Sequence, residues 1–302
     1  MRLCSLLLPR FIATKSRWNA KRDPHAQIGP HGNLTGRPCV DAISPLERVR
    51  AHQRSPRDRG LFDRKCRNKS AKPQHTIVFD LDGTLVDTAP DLIAALNALF
   101  AREGIEQLPF IQAREFIGGG ARTLIERGLA AKGRAVTTIE ADRLYADFVS
   151  SYEERVAELS RPFPGVESAL DALAARGLRF AVCTNKLERL SVKLLDALGL
   201  SHRFAAICGP DTFGVPKPDP RILAATVEAV GGRLCSTLMV GDSHTDVATA
   251  RAANVPIIAV DFGYTDTPVA RFGPDRLISH YDELSCAVTD LIEGTALVAS
   301  EP

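Results

Sequence analysis

Short runs of apolar residues recur along the chain, each ending in a small, polar or acidic side chain. Ile77-Val78-Phe79 stops at Asp80, and similar runs occupy 180–183, 205–208, 238–240 and 257–260. Unbroken apolar runs of this length predict strands buried on both faces, as in parallel sheets. Amphipathic stretches lie between them. Residues 187–198 form one such stretch, which Gly199 terminates, and Asp219-Pro220 reads as an N-cap followed by proline at the first helical position. Strands alternating with helices predict an α/β fold with a doubly wound, mostly parallel sheet. One segment breaks the rhythm. From 91 to 160 the periodicity is helical throughout, with stripes at Leu92, Leu96 and Leu99 and at Leu144, Phe148 and Tyr152. This predicts an inserted α-helical cap domain over 91–160, with the core assembled from 73–90 and 161–295. Pro162, Pro164 and Gly165 mark the return to the core.

Charge divides the chain differently. The formal net charge is +2 over 302 residues, but residues 1–72 carry 17 Lys and Arg against 5 Asp and Glu, while the remainder carries 21 against 31. The first segment is also poor in apolar periodicity, so a disordered basic extension over 1–72 is expected. An organelle transit peptide and a nucleic-acid arm are its alternatives, as is a later start of translation. Seven cysteines, none in a CxxC pair, do not suggest a disulfide framework, and no apolar run approaches the length of a membrane span. The expected protein is cytoplasmic, with no nucleic-acid or membrane partner; monomer and homodimer are left open.

Four clusters carry candidate chemistry, and each follows an apolar run, where ligands bind in open parallel sheets. Asp80 and Asp82, in Asp80-Leu81-Asp82-Gly83-Thr84, stand two apart at a strand end, with Gly83 able to turn the chain so that both face one side. One can attack phosphorus while the other moves a proton. Thr184 and Asn185 offer a hydroxyl and an amide to phosphate oxygens. Lys217 lies between Pro216 and Pro218, which restrict its backbone, and a fixed cation there can neutralise a transferring phosphoryl group. Asp242 and Asp246 lie four apart at a strand-to-helix junction, hard oxygen donors suited to Mg²⁺. His244 between them is expected to be an exposed or capping residue.

In this order, the clusters resemble the haloacid dehalogenase superfamily, whose core is Rossmann-like. The resemblance runs from about 76 to 291. It implies Asp80 as nucleophile, Asp82 as general acid and base, Thr184 and Lys217 as phosphate stabilisers, and Thr84 as typical of phosphatases. It also implies Mg²⁺ held by Asp80, the Asp82 main-chain carbonyl and Asp242, with Asp246 in support. The string Phe79-Asp80-Leu81-Asp82-Gly83-Thr84-Leu85-Val86-Asp87, the segment 118–127 and Phe262-Gly263-Tyr264 are similar to bacterial phosphoglycolate phosphatases. The implied reaction is hydrolysis of 2-phosphoglycolate through an aspartyl-phosphate. Related phosphatases acting on another small phosphomonoester, a nucleotide or pyrophosphate are the alternative, and a non-catalytic binding module with a basic tail is the reading from another class. For the substrate, the expected contacts are Thr84 and Asn185, the glycine loop at Gly119, and two cations, Arg122 and Lys186, for the carboxylate.

Overall fold

The computed structural model describes residues 74–298, with side chains to 293. The expectation for residues 1–72 lies outside the described residues. Six strands form one parallel sheet: β1 (Thr76–Phe79), β4 (Arg179–Cys183), β5 (Ile207–Cys208), β6 (Thr237–Gly241), β7 (Ile257–Val260) and β8 (Arg276–Ile278). Their order is β5-β4-β1-β6-β7-β8, so the chain winds outward from β1 in one direction and then crosses back to continue from β6. That reversal opens a crevice at the carboxyl end of β1.

Alternation along β1 explains why the sheet is covered on both sides. Ile77 and Phe79 join Phe180, Val182, Leu238 and Val240 in one apolar cluster, while Val78 joins Ala181 and Met239 in the other. A strand with two buried faces has no room for polar side chains, so the chemistry begins where it ends, at Asp80. The helices behave locally as their sequences ask. Asp219 accepts from Arg221 N at the start of its helix, Pro220–Ala229. The helix before Gly199 spans Glu188–Ala197. Strand β5 is shorter than the apolar run that announced it, although Ala205 N donates to Phe180 O and Ala206 O accepts from Val182 N, both at 2.9 Å.

Between the short strands β2 (Val86–Asp87) and β3 (Arg161–Pro162) the described structure is helical: α1 (Ala89–Arg102), α2 (Phe110–Arg114), α3 (Ala121–Ala131) and α4 (Thr138–Glu154). The predicted stripes are buried, with Leu92, Leu96 and Leu99 on α1 and Leu144, Phe148 and Tyr152 on α4. β2 and β3 pair antiparallel, Asp87 opposite Arg161. Asp91 secures the same crossing. Its carboxylate accepts from Leu159 N, Ser160 N and Ser160 Oγ at 2.6–3.0 Å. Among the described residues no helix is long and apolar enough to cross a membrane. Cys183 and Cys208 are free and buried, and Cys286 is free and exposed.

Candidate active site

Beyond β1 the chain turns at once. Gly83 N donates to Val86 O at 3.0 Å, and Gly83 holds a φ of +84°. A Cβ there would lie 2.9 Å from Tyr264 Cδ2 and 3.0 Å from Asp242 Cγ, so glycine is required both by conformation and by space. The turn leaves Asp80 buried at 4% exposure. Lys217 reaches it from the loop after β5: its Nζ is 2.8 Å from Asp80 Oδ1 and 2.6 Å from Asp246 Oδ1.

Asp242 and Asp246 arrive from the end of β6. Ser243 is the N-cap of the helix His244–Ala252, one residue earlier than the helix itself, and Asp246 is its third residue. Ser243 N and Oγ both donate to Asp246 Oδ2, at 3.1 and 2.6 Å. This capping box holds Asp246 back toward the strand end beside Asp242. Asp242 accepts from Thr84 Oγ1 at 3.1 Å and from Tyr264 N at 2.6 Å. Gly263 permits that second bond, since a Cβ there would overlap the Asp242 side chain. His244 is exposed, with its ring edge-on to Phe272, as a capping-region residue was expected to be.

One oxygen from each of Asp80, Asp242 and Asp246 lies within 4.8 Å of the others. Three buried carboxylates face one buried ammonium, and the imbalance appears in their proton affinities. Burial pushes Asp80 up to about 7, against the pull of Lys217. Asp242 is also raised well above the usual carboxylate range, by burial and then by Asp246 and Asp80. Burial acts to lower Lys217, but Asp246 and Asp80 outweigh it and hold the ammonium charged. Hard oxygen donors with surplus negative charge fit a small divalent cation such as Mg²⁺.

Asp82 belongs to a second group. Its carboxylate accepts from Thr88 Oγ1 at 2.7 Å and from Lys186 Nζ at 2.9 Å. Lys186 is buried, and its ammonium also lies 4.5 Å from the centroid of the Tyr152 ring. Burial acts to lower the Lys186 pKa, but Asp82 and Tyr152 raise it on balance. Between the sheet and the helical segment is a cavity of about 50 Å³, with Asp80, Asp82, Thr184 and Lys186 on the sheet side and Leu124, Phe148 and Tyr152 on the helical side.

The chain is similar to known proteins in sequence and in fold. The haloacid dehalogenase-like hydrolase family model matches residues 77–260. The chain belongs to this family. It is 47% identical to a phosphoglycolate phosphatase of Mesorhizobium japonicum over 71% of its length and 94% of the relative's. A phosphoglycolate phosphatase of Caulobacter vibrioides is also 47% identical, over 72% of this chain and 92% of the relative. Among solved structures, a predicted phosphoglycolate phosphatase from Haemophilus somnus matches with a TM-score of 0.67 and 28% identity, covering 72% of this chain and all of that one.

Within this family framework, three expected substrate contacts (Thr84, Gly119 and Arg122) lie outside the cavity lining, and a fourth, Asn185, lines it with its amide engaged. Thr84 is fully buried with its hydroxyl on Asp242, so it orients a carboxylate rather than facing the cavity. Asn185 lines the cavity, but its amide is engaged with the Lys217 main chain, accepting from Lys217 N at 2.8 Å and donating to Lys217 O at 3.2 Å. It positions the lysine. Gly119 lies outside the cavity lining, against the Thr123 side chain; its neighbours Gly118 and Gly120 line the cavity instead. Arg122 points to the surface of α3, where it pairs with Asp142 and stacks over Tyr145. The donors that sequence reasoning did not assign are Ser243 and the Tyr264 main chain. An apolar-Gly-Tyr triplet after β7 was the available signal, and it gave no role by itself.

Proposed function

We propose that this chain is a magnesium-dependent phosphatase that hydrolyses 2-phosphoglycolate to glycolate and phosphate through an aspartyl-phosphate on Asp80. The observation that carries the reading is Asp80 at the end of β1, buried against Lys217 and open to a small cavity that it shares with Asp82. The names of the relatives support the same substrate.

In this reading Asp80, the Asp82 main-chain carbonyl and Asp242 hold Mg²⁺, with Asp246 fixing the site and Lys217. The ion, when bound, neutralises charge on the phosphoryl oxygens. Asp80 Oδ attacks phosphorus in line with the leaving oxygen, and Lys217 offsets the charge on both partners. Thr184 donates to a phosphoryl oxygen; its own oxygen is already fixed by Lys186 N at 3.2 Å. Asp82 gives a proton to the departing alkoxide, then takes one from the water that cleaves the acyl phosphate. Thr88 and Lys186 keep its carboxylate in place between the two steps.

Size favours a small leaving group. At roughly 10–15 Å³ per water-sized probe, a cavity of about 50 Å³ holds about three to five water-sized groups, which favours a small phosphomonoester over nucleotide and hexose phosphates in this arrangement. The segment 91–160 acts as the cap that supplies this restriction. We assign the protein to the cytoplasm, a setting that cell fractionation tests.

The experiment is phosphate release from 2-phosphoglycolate with Mg²⁺ and with EDTA, beside Asp80→Asn. Expected is metal-dependent turnover that falls at least about a thousandfold in the variant. Turnover of an isotopically P-chiral thiophosphoryl analogue should retain configuration at phosphorus, because two successive in-line displacements invert it twice. Net inversion, the signature of a single direct attack by water, rejects the covalent route.

A further inference from the structure

The helical wall of the cavity is largely apolar, with Leu92, Ile117, Leu124, Phe148 and Val149 facing it. Tyr152 is the exception that matters. It is 1% exposed; the Lys186 ammonium lies against it as a donor, and among the described residues no acceptor takes the hydroxyl proton. Burying a hydroxyl without a partner is costly, and most buried polar side-chain atoms find one. Here the unmatched donor sits in the wall of a cavity.

Its neighbour across the cavity is Lys186. The ammonium lies over the Tyr152 ring at 4.5 Å and contacts both oxygens of Asp82, at 2.9 and 3.3 Å. An ammonium has three donors, so after Asp82 is served one is left on the Tyr152 side, able to turn to a ligand. A hydroxyl and a cation side by side, walled by apolar groups, are matched by a small anion that only accepts hydrogen bonds. A carboxylate has that chemistry.

We propose that the Tyr152 hydroxyl and the Lys186 ammonium together bind the carboxylate of the substrate, and that Tyr152 is the residue that separates phosphorylated carboxylic acids from neutral phosphomonoesters. The proposal rests on the phosphoglycolate reading and states how the leaving group is recognised, a role that Arg122 does not fill. Recognition is bipartite. Tyr152 belongs to α4 and Lys186 to the loop after β4, so a carboxylate between them ties the helical segment to the sheet at the moment the phosphoryl group meets Asp80. A neutral leaving group leaves the hydroxyl unmatched, and sites with a buried unpaired donor discriminate strongly.

The decisive comparison is kcat/KM for 2-phosphoglycolate against ethyl phosphate, in the full-length wild type and in Tyr152→Phe. Phenylalanine keeps the ring over Lys186 and removes only the donor. The ratio of the two kcat/KM values is expected to fall roughly tenfold or more in the variant, with an unchanged melting temperature. Tyr152→Leu, which also removes the ring, should lower the ratio at least as far. A ratio unchanged in Tyr152→Phe overturns the proposal whatever Tyr152→Leu does, because loss shared equally by the two esters reports structure and not carboxylate binding. A wild type with no preference for 2-phosphoglycolate overturns the substrate reading beneath it, and that result is visible before any variant is made.

Discussion

Replacing Lys217 with Met tests the electrostatics of the site through stability, independently of turnover. The methionine keeps most of the volume and removes the charge from a position 3% exposed, 2.8 Å from Asp80 and 2.6 Å from Asp246. At an effective dielectric of about 20 each contact is worth about 6 kcal/mol, offset by several kcal/mol for desolvating the ammonium. The carboxylates left behind can escape mutual repulsion by taking up a proton. That escape sets the size of the effect. Protonating an aspartate of ordinary pKa about 3.9 costs roughly 1.36 kcal/mol per pH unit above it, or about 4 kcal/mol at about pH 7 and about 1.5 kcal/mol at about pH 5. The wild type already bears that cost at Asp80, raised to about 7, so Lys217→Met should lose up to about 4 kcal/mol for a further proton taken up at neutral pH, and the deficit should shrink as pH falls. Urea denaturation of wild type and variant in EDTA at the two pH values measures it. A deficit below about 1 kcal/mol at neutral pH, or one that grows toward pH 5, would refute the argument.

Three further outcomes follow from the same geometry. In the metal-free protein Asp80 and Asp242 hold protons more tightly folded than unfolded, so their contribution to stability is complete below about pH 4 and lost as pH rises through about 7 for Asp80. Thermal melting should thus show a lower metal-free Tm at about pH 8 than at about pH 6, and a larger rise on adding MgCl₂ at the higher pH; a metal shift that is larger at pH 6 contradicts this. Gly263→Ala inserts a methyl group into the space of Asp242, its Cβ 2.6 Å from Asp242 Cγ, so Mg²⁺ affinity measured by titration calorimetry should fall about tenfold or more, and unaltered affinity would show that the loop yields. Arg122→Ala removes a surface ion pair with Asp142 and should leave kcat/KM for 2-phosphoglycolate within about twofold; a selective loss on that substrate would return Arg122 to the carboxylate.

The parallel sheet and the place of Asp80 were legible because burial on both faces demands unbroken apolar runs, and the first polar residue after β1 then stands out. Asp219 and Gly199 were legible because helix ends depend on a few local atoms. Direction was not. Thr84, Asn185 and Arg122 offer suitable donors in sequence, but which way each points depends on partners 158, 32 and 20 residues away. Thr84 turns to Asp242, Asn185 to the Lys217 main chain and Arg122 to Asp142. Tyr152 was hidden for the opposite reason. Its place in the apolar stripe with Leu144 and Phe148 is correct, and the stripe says nothing of a hydroxyl at its end.

The antiparallel pairing of Asp87 with Arg161, secured by Asp91, makes the whole helical segment the loop of a β-hairpin. A loop closed by its own ladder can change length cheaply, since each doubling adds only about 0.6 kcal/mol of closure entropy. The sheet and its carboxylates therefore do not register what is carried between the two strands. Substrate choice can be rewritten there, by exchange or by growth, while the reacting groups stay where β1 and β6 end.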